Sequence, residues 1–218
     1  MTIRVARKRA DTYQHGDLRR ALVQAGLKLL ADGGVDGLSL RGAAQLAGVS
    51  HAAPYRHFQD KDALVAAVAE EGFRLLTRHM RDEIAATGTT DILGRLRASA
   101  TGYVSFAVAH PATFRTIFGG AVCAEGEEQP ASLREAGAEA YHVLRDLVAE
   151  GVARGRLRAG DPDELSLAAW SLVHGLSMLL IEGQLPGARE KPGHVRAVTE
   201  SLVRLLESGL RRQAPDHR

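Results

Sequence analysis

Side chains able to read a polyanion crowd into one stretch, residues 39–61, SLRGAAQLAGVSHAAPYRHFQDK. Arg41 and Arg56 can each offer a fork of donors that matches the paired acceptors of guanine, and the methyl groups of Ala52 and Ala53 suit the methyl of thymine. Tyr55 can donate to a phosphate oxygen, and Lys61 can bring a positive charge to another. His51 and His57 can act as donor or acceptor on either ring nitrogen. The alternatives are ordinary ones, a solvated surface Arg56 and a hydrogen-bonded, half-buried His57. Bond-making chemistry is poorly represented. The chain has no nucleophile elbow, phosphate-cradling Walker loop, dinucleotide glycine pattern or HExxH. Its nine histidines are scattered, without metal-ligand spacing beside carboxylates on one helix, so no metal or cofactor is expected. His174 and Glu182 stand two turns apart with no nucleophile near them.

The elements that must position those side chains are two short helices. Ser39 and Ser50 each follow an apolar residue, Leu38 and Val49, and each can cap a helix start with its hydroxyl. Leu40 to Leu46 supplies the first helix and Ser50 to about Phe58 the second. Gly48 can take the left-handed conformation that turns the chain between them, and Ala44 is small where the helices cross. This spacing predicts a helix-turn-helix whose second member enters the DNA major groove. Pro54 interrupts the pattern. It removes an amide donor and disfavours helical geometry at Ala53, so a tightened or opened first turn is expected.

The run LSLRGAAQLAGVSHAAPYRHFQDKDAL, with LVQAGLKLLADGGVDG before it, closely resembles the DNA-binding domain of the tetracycline-repressor (TetR) family over residues 18–68. YRHF followed by DKDAL is its most specific part. The departure is at position 54, usually a large aliphatic residue and here a proline. The resemblance implies base contacts from Arg41, His51, Ala52, Ala53, Tyr55 and Arg56, and backbone contacts from Ser39, Tyr55, His57 and Lys61. Ser50, at the start of the reading helix, joins that set. A second stretch, AWSLVHGLSML, resembles the Trp-His-Gly signature of one group of TetR C-terminal domains.

Charge supports a polyanion bound at one end. Residues 1–61 hold 10 Lys and Arg against 5 Asp and Glu, and the remainder 18 against 21. Arg4, Arg7, Lys8 and Arg9 form a basic arm suited to phosphate or minor-groove contacts. Cys123 is the only cysteine, which fits a reducing compartment. No secretory signal opens the chain, and the most apolar run, Leu165 to Ile181, falls short of the roughly 20 residues a bilayer span needs. A soluble, cytoplasmic protein is expected.

Beyond the head, helical periodicity continues to the end and no strand pattern appears. Helix 1 is expected over Asp17–Ala31, ended by Gly33-Gly34. A long helix opens at Asp60, and others follow near Asp91, after His110-Pro111, from Ser132, over 163–182 and over 194–212. Residues 119–130 have the composition of a mobile loop. The chain reads as all-α with about nine helices. Its expected domains are a basic arm and DNA-binding head, 1–60, and a helical ligand-binding and dimerisation body, 61–218. Tyr103, Phe106, Phe114, Phe118, Tyr141, Trp170, His174 and Met178 are the candidate lining of a pocket for a small hydrophobic effector, with plain core packing as the alternative. The helices near 163–182 and 194–212 are the candidate homodimer interface, with Ser171, Gly175 and Ser177 allowing close approach and Leu202, Leu205 and Leu206 supplying apolar area. Together these features imply a DNA-binding, ligand-responsive regulator, most simply a repressor on a near-palindromic operator. A ligand-binding or adaptor protein without DNA specificity is the main rival, and an enzyme the lesser one.

Overall fold

The computed structural model describes residues 15–119, 129–185, 187 and 193–210. The basic arm, Cys123 and most of the glycine-rich segment 119–130 lie outside them. Among the described residues there are eight α-helices, one 3-10 turn and no strand. In order they are α1 (His15–Gly37), α2 (Leu40–Ala47), the 3-10 turn Pro54–Arg56, α3 (Lys61–Ala86), α4 (Ile92–Ala109), α5 (Pro111–Phe118), α6 (Ala131–Ala153), α7 (Pro162–Ile181) and α8 (His194–Leu210).

Four helix starts, those of α2, α3, α4 and α7, follow side-chain caps. Ser39 Oγ accepts from the Gly42 amide at 3.1 Å, Asp60 from Ala63 at 2.8 Å and Asp91 from Gly94 at 3.1 Å, each satisfying a donor that a helix start leaves free. Gly48 closes α2 at φ 70°, ψ 29°, a left-handed geometry that favours glycine. Gly34 breaks the first helix as expected, at a non-helical φ 64°, ψ −166°, and a short second helical segment runs on to Gly37. One expectation needs correction: residues 50–58 do not form an α-helix. Ser50 to Ala53 is a turn closed by Ala53 N–H donating to the Ser50 carbonyl at 3.0 Å, followed by the 3-10 turn Pro54–Arg56. With no amide on Pro54, the chain takes the tighter spacing, as in His57 N–H donating to the Pro54 carbonyl at 2.9 Å.

The head core gathers Leu22, Val23, Leu30, Leu38, Leu40, Ala43 and Phe58 with Leu64, Val65 and Val68 from the first turns of α3. The same helix then leaves the head, and its Leu76 and Met80 enter the body core with Val104, Phe106, Phe114, Leu133, Leu176 and Leu180. The head core thus runs past residue 60 to Val68, and α3 is one rigid element shared by both halves. Gly102 allows α4 to cross α3 closely, since a Cβ there would lie 2.7 Å from the His79 carbonyl oxygen. α7 is 20 residues long and apolar enough to cross a membrane. The first turn, Pro162–Glu164, makes it longer than the apolar run alone suggests. Its Leu165, Ala169, Val173, Leu176 and Leu180 are buried inside the bundle.

Candidate nucleic-acid interface and ligand cavity

On the head, the candidate DNA-reading residues are mostly exposed. Ser39, Arg41, Ser50, His51, Ala52, Arg56 and Lys61 are exposed, Tyr55 is 63% exposed, and Ala53 and His57 are half-buried. Pro54 is buried. It occupies an inward position, so it supplies apolar burial while shortening the turn. Tyr55 and Arg56 therefore stand outward on a compact turn, flanked by the capped start of α2 with Arg41 and that of α3 with Lys61. Behind them Arg19 lies over the ring of Phe58, 5.6 Å from its centroid, which ties α1 to the end of the turn.

In the body the candidate ligand residues divide. Tyr103, Phe118, Tyr141 and Trp170 line a cavity of about 710 Å³. Phe118, His174 and Met178 line a second chamber of about 510 Å³, which also meets Gly34 and Val35 at the α1 kink and Ala112, Arg115 and Thr116 of α5. Phe106 and Phe114 line neither. Both are fully buried core residues, Phe106 against His79 and His110, and Phe114 stacked on His174 at 5.4 Å between ring centroids.

A hydrogen-bonded chain separates the two chambers. The Trp170 indole N–H donates to Tyr103 Oη at 3.0 Å, and Tyr103 Oη lies 2.9 Å from His174 Nδ1. Indole can only donate. The hydroxyl accepts that proton and can pass its own to His174 Nδ1 when the neutral ring carries hydrogen on Nε2; with the other tautomer Nδ1 donates to the hydroxyl instead. Burial favours the neutral form of both groups, lowering the His174 pKa and raising that of Tyr103, because a desolvated site disfavours the charged form.

Most of the cavity wall escaped sequence reasoning. Phe73, Leu76 and Met80 come from α3, Leu96, Ser99 and Ala100 from α4, Gly137, Ala140, Leu144 and Val148 from α6, and Val203, Leu206 and Glu207 from α8. Periodicity marks several of these as inward-facing, but not whether an inward side chain meets a neighbour or a void. The available signal was the small residues Ala100, Gly137, Ala140 and Ala169 on three different helices, which leave space where larger ones would fill it. On α7, Leu167 lies at the rim of the cavity and is 54% exposed, Leu179 is 46% exposed, and Leu205 of α8 is 71% exposed. Ser171 is exposed and a Cβ on Gly175 would meet open space. Ser177 is a correction: it is fully buried within its own chain, its hydroxyl donating to the Val173 carbonyl.

Comparison with known proteins agrees with this geometry. Residues 22–68 match the model of bacterial regulatory proteins of the tetR family, and residues 96–206 that of the tetracyclin repressor-like C-terminal domain. The chain belongs to the TetR family. Over 166 residues it is 29% identical to the HTH-type transcriptional regulator Rv1816 of Mycobacterium tuberculosis, covering 73% of this chain and 67% of that one. A protein with unknown function from Rhodococcus sp. RHA1 is 35% identical, with a TM-score of 0.79 over 93% of this chain and all of its own. The transcriptional regulator FadR from Bacillus subtilis, in complex with stearoyl-CoA, shares the fold at a TM-score of 0.68 and 16% identity, over 88% of this chain and 98% of its own. This TetR protein is accordingly a DNA-binding, ligand-responsive transcriptional regulator rather than an enzyme. Regulators of the family bind DNA as dimers and bind small-molecule effectors.

Proposed function

We propose that this TetR protein is a cytoplasmic homodimeric repressor that reads a near-palindromic operator through residues 39–61 and releases it when a small hydrophobic molecule fills the 710 Å³ cavity. One observation carries the coupling. Short α5 has Ala112 packed against the head core, while Phe118 at its other end forms part of the cavity wall. Arg115 between them anchors the helix to the end of α7, donating to the Glu182 carboxylate at 2.8 Å and the Ile181 carbonyl at 3.0 Å. A ligand that displaces Phe118 therefore acts on a rigid piece that touches the head. It changes DNA affinity only so far as it favours one head position over another.

The outer face of α7 and α8 supports the dimer. Leu167, Ser171, Gly175 and Leu179 recur at four-residue spacing, which puts them on one stripe, and Leu205 adds apolar area on α8. A second copy covers that stripe and brings two reading turns to one duplex, because a single turn reads too few base pairs for useful specificity. The Trp-His-Gly resemblance fits the same scheme. Trp170 and His174 are the two ends of the chain through Tyr103, and Gly175 lies on the exposed stripe.

Selection of bound duplexes from a random pool tests the reading, with sedimentation of the same protein. A dimer with a two-fold symmetric site is expected. A monomer at micromolar concentration, or no sequence preference, contradicts it.

A further inference from the structure

The cavity wall is uneven in its chemistry. Its charged members, Asp163, Glu164 and Glu207, are all acidic, and among the described residues no lysine, arginine or histidine lines it. Glu207 is 8% exposed and is held by Arg97 at 2.8 Å. Asp163 is held by Arg145 at 2.6 Å. Neither arginine reaches the cavity wall, so the cavity meets the carboxylate side of both pairs. Glu164 has no ion pair among the described residues.

The polar groups at the other end are already used. The Trp170 indole N–H is spent on Tyr103, and the Tyr103 hydroxyl is engaged with His174 Nδ1. That end offers a ligand mainly carbon and ring faces, with Phe118 and Tyr141 about Trp170 at 6.1 and 6.0 Å between centroids. Asp163 precedes Trp170 by seven residues on α7, so at 1.5 Å per residue their backbones are about 10 Å apart, with Tyr141 between them, beside Trp170 and donating its hydroxyl to the Asp163 carbonyl at 3.4 Å. An anion placed here would lose its water against apolar walls and face like charge, with no donor fork to receive it. A cation meets carboxylates at one end and aromatic faces along the way.

We infer that the effector is a hydrophobic cation, an amine or quaternary ammonium on an apolar body roughly 10 Å long, seated with its charge at Asp163 and Glu164 and its apolar part against Trp170. This rests on the cavity being the effector site. It separates this chain from a carboxylate- or phosphate-bearing ligand such as an acyl-CoA.

Titrating the full-length protein with four probes of equal chain length tests the assignment: decyltrimethylammonium, decanol, decanoate and decanoyl-CoA, each below its micelle concentration. Trp170 fluorescence is the readout, as the chain has one tryptophan. The ammonium probe is expected to bind tightest, decanol next and both anions weakest. Glu164→Gln, an exposed residue with no packing role, should weaken the ammonium probe about twofold to fivefold and leave decanol unchanged. Decanoate or decanoyl-CoA binding as tightly as the ammonium probe overturns the cation assignment and leaves the cavity standing as the effector site. An unchanged ammonium affinity in Glu164→Gln also overturns the proposed seat. If no probe alters Trp170 fluorescence, both the assignment and the cavity reading fail.

Discussion

The head and the body of this TetR protein use apolar residues differently. Leu22, Leu30, Leu38, Ala43, Leu64 and Val68 in the head are at most 1% exposed, with the groups proposed to read DNA, Arg41, Tyr55, Arg56 and Lys61, on the outside. The body, beside its own packed core of Leu76, Val104, Phe106 and Phe114, holds a partly open cavity of about 710 Å³, and the groups proposed to matter line it. A solid head holds its readers at fixed spacing. A hollow body can be rearranged by what fills it, and α3 and α5 pass the change from one to the other.

Core substitutions should show the contrast most strongly. Leu22→Ala should cost about 2–5 kcal/mol and abolish DNA binding near physiological temperature, because it opens a cavity in a packed region. Leu144→Ala merely widens an existing void and should cost clearly less. The reverse pair is sharper. Ala43→Leu should destabilise by about 1–3 kcal/mol through overpacking, whereas Ala140→Leu has room to grow into the cavity, should leave stability near wild type and should block ligand. Denaturant unfolding of the four variants checks this; equal costs in head and body would mean the body is not hollow in solution.

The hydrogen-bonded chain between the two chambers comes next. Tyr103→Phe leaves the Trp170 N–H and His174 without their shared partner and should cost about 1–3 kcal/mol, with a change in Trp170 emission. No loss would place water or another group in that role. On the head, Arg56→Ala should cost about 1–3 kcal/mol at one base pair per half-site and relax specificity there, while Lys61→Ala should weaken all sequences alike and flatten the salt dependence. Quantitative binding to single-base operator variants distinguishes the two.

The smallest effect is on pH. His174 has a folded pKa below its ordinary value because burial disfavours the charged ring. As pH falls through about 6.5 the unfolded chain takes up a proton that the folded one resists. Stability should therefore be fully present above that pH and decline below it, levelling off under the lowered folded pKa. His110 is lowered too, by burial and then by His79, and acts in the same direction. Replacing His174 with Gln should remove part of the slope; an unchanged slope would assign it to His110 and other groups.

The two halves also differed in how far the sequence reveals them. Head chemistry is local: the Ser39 and Asp60 caps, the Gly48 turn and the outward readers lie within 23 consecutive residues, so spacing alone fixes their relation. What it left open was the form of residues 50–58, where Pro54 turned an expected helix into a 3-10 turn. In the body, α-helix boundaries were legible from capping aspartates and prolines, but the cavity is not local. It depends on Gly137 and Ala140 facing Ala100 and Ala169 across three helices, and on where α8 docks. Periodicity reports that Phe106, Phe118, Trp170 and His174 face inward. Only the packing shows that Phe106 and Phe114 are core while Phe118 borders both chambers.

The central claim is that occupancy of the cavity and grip on DNA are coupled. Its direct test is operator affinity of the full-length protein, measured with and without a compound that saturates the Trp170 fluorescence change. A coupling of about 1–3 kcal/mol predicts operator affinity lowered roughly 5- to 150-fold. Unchanged affinity at full occupancy would contradict the account.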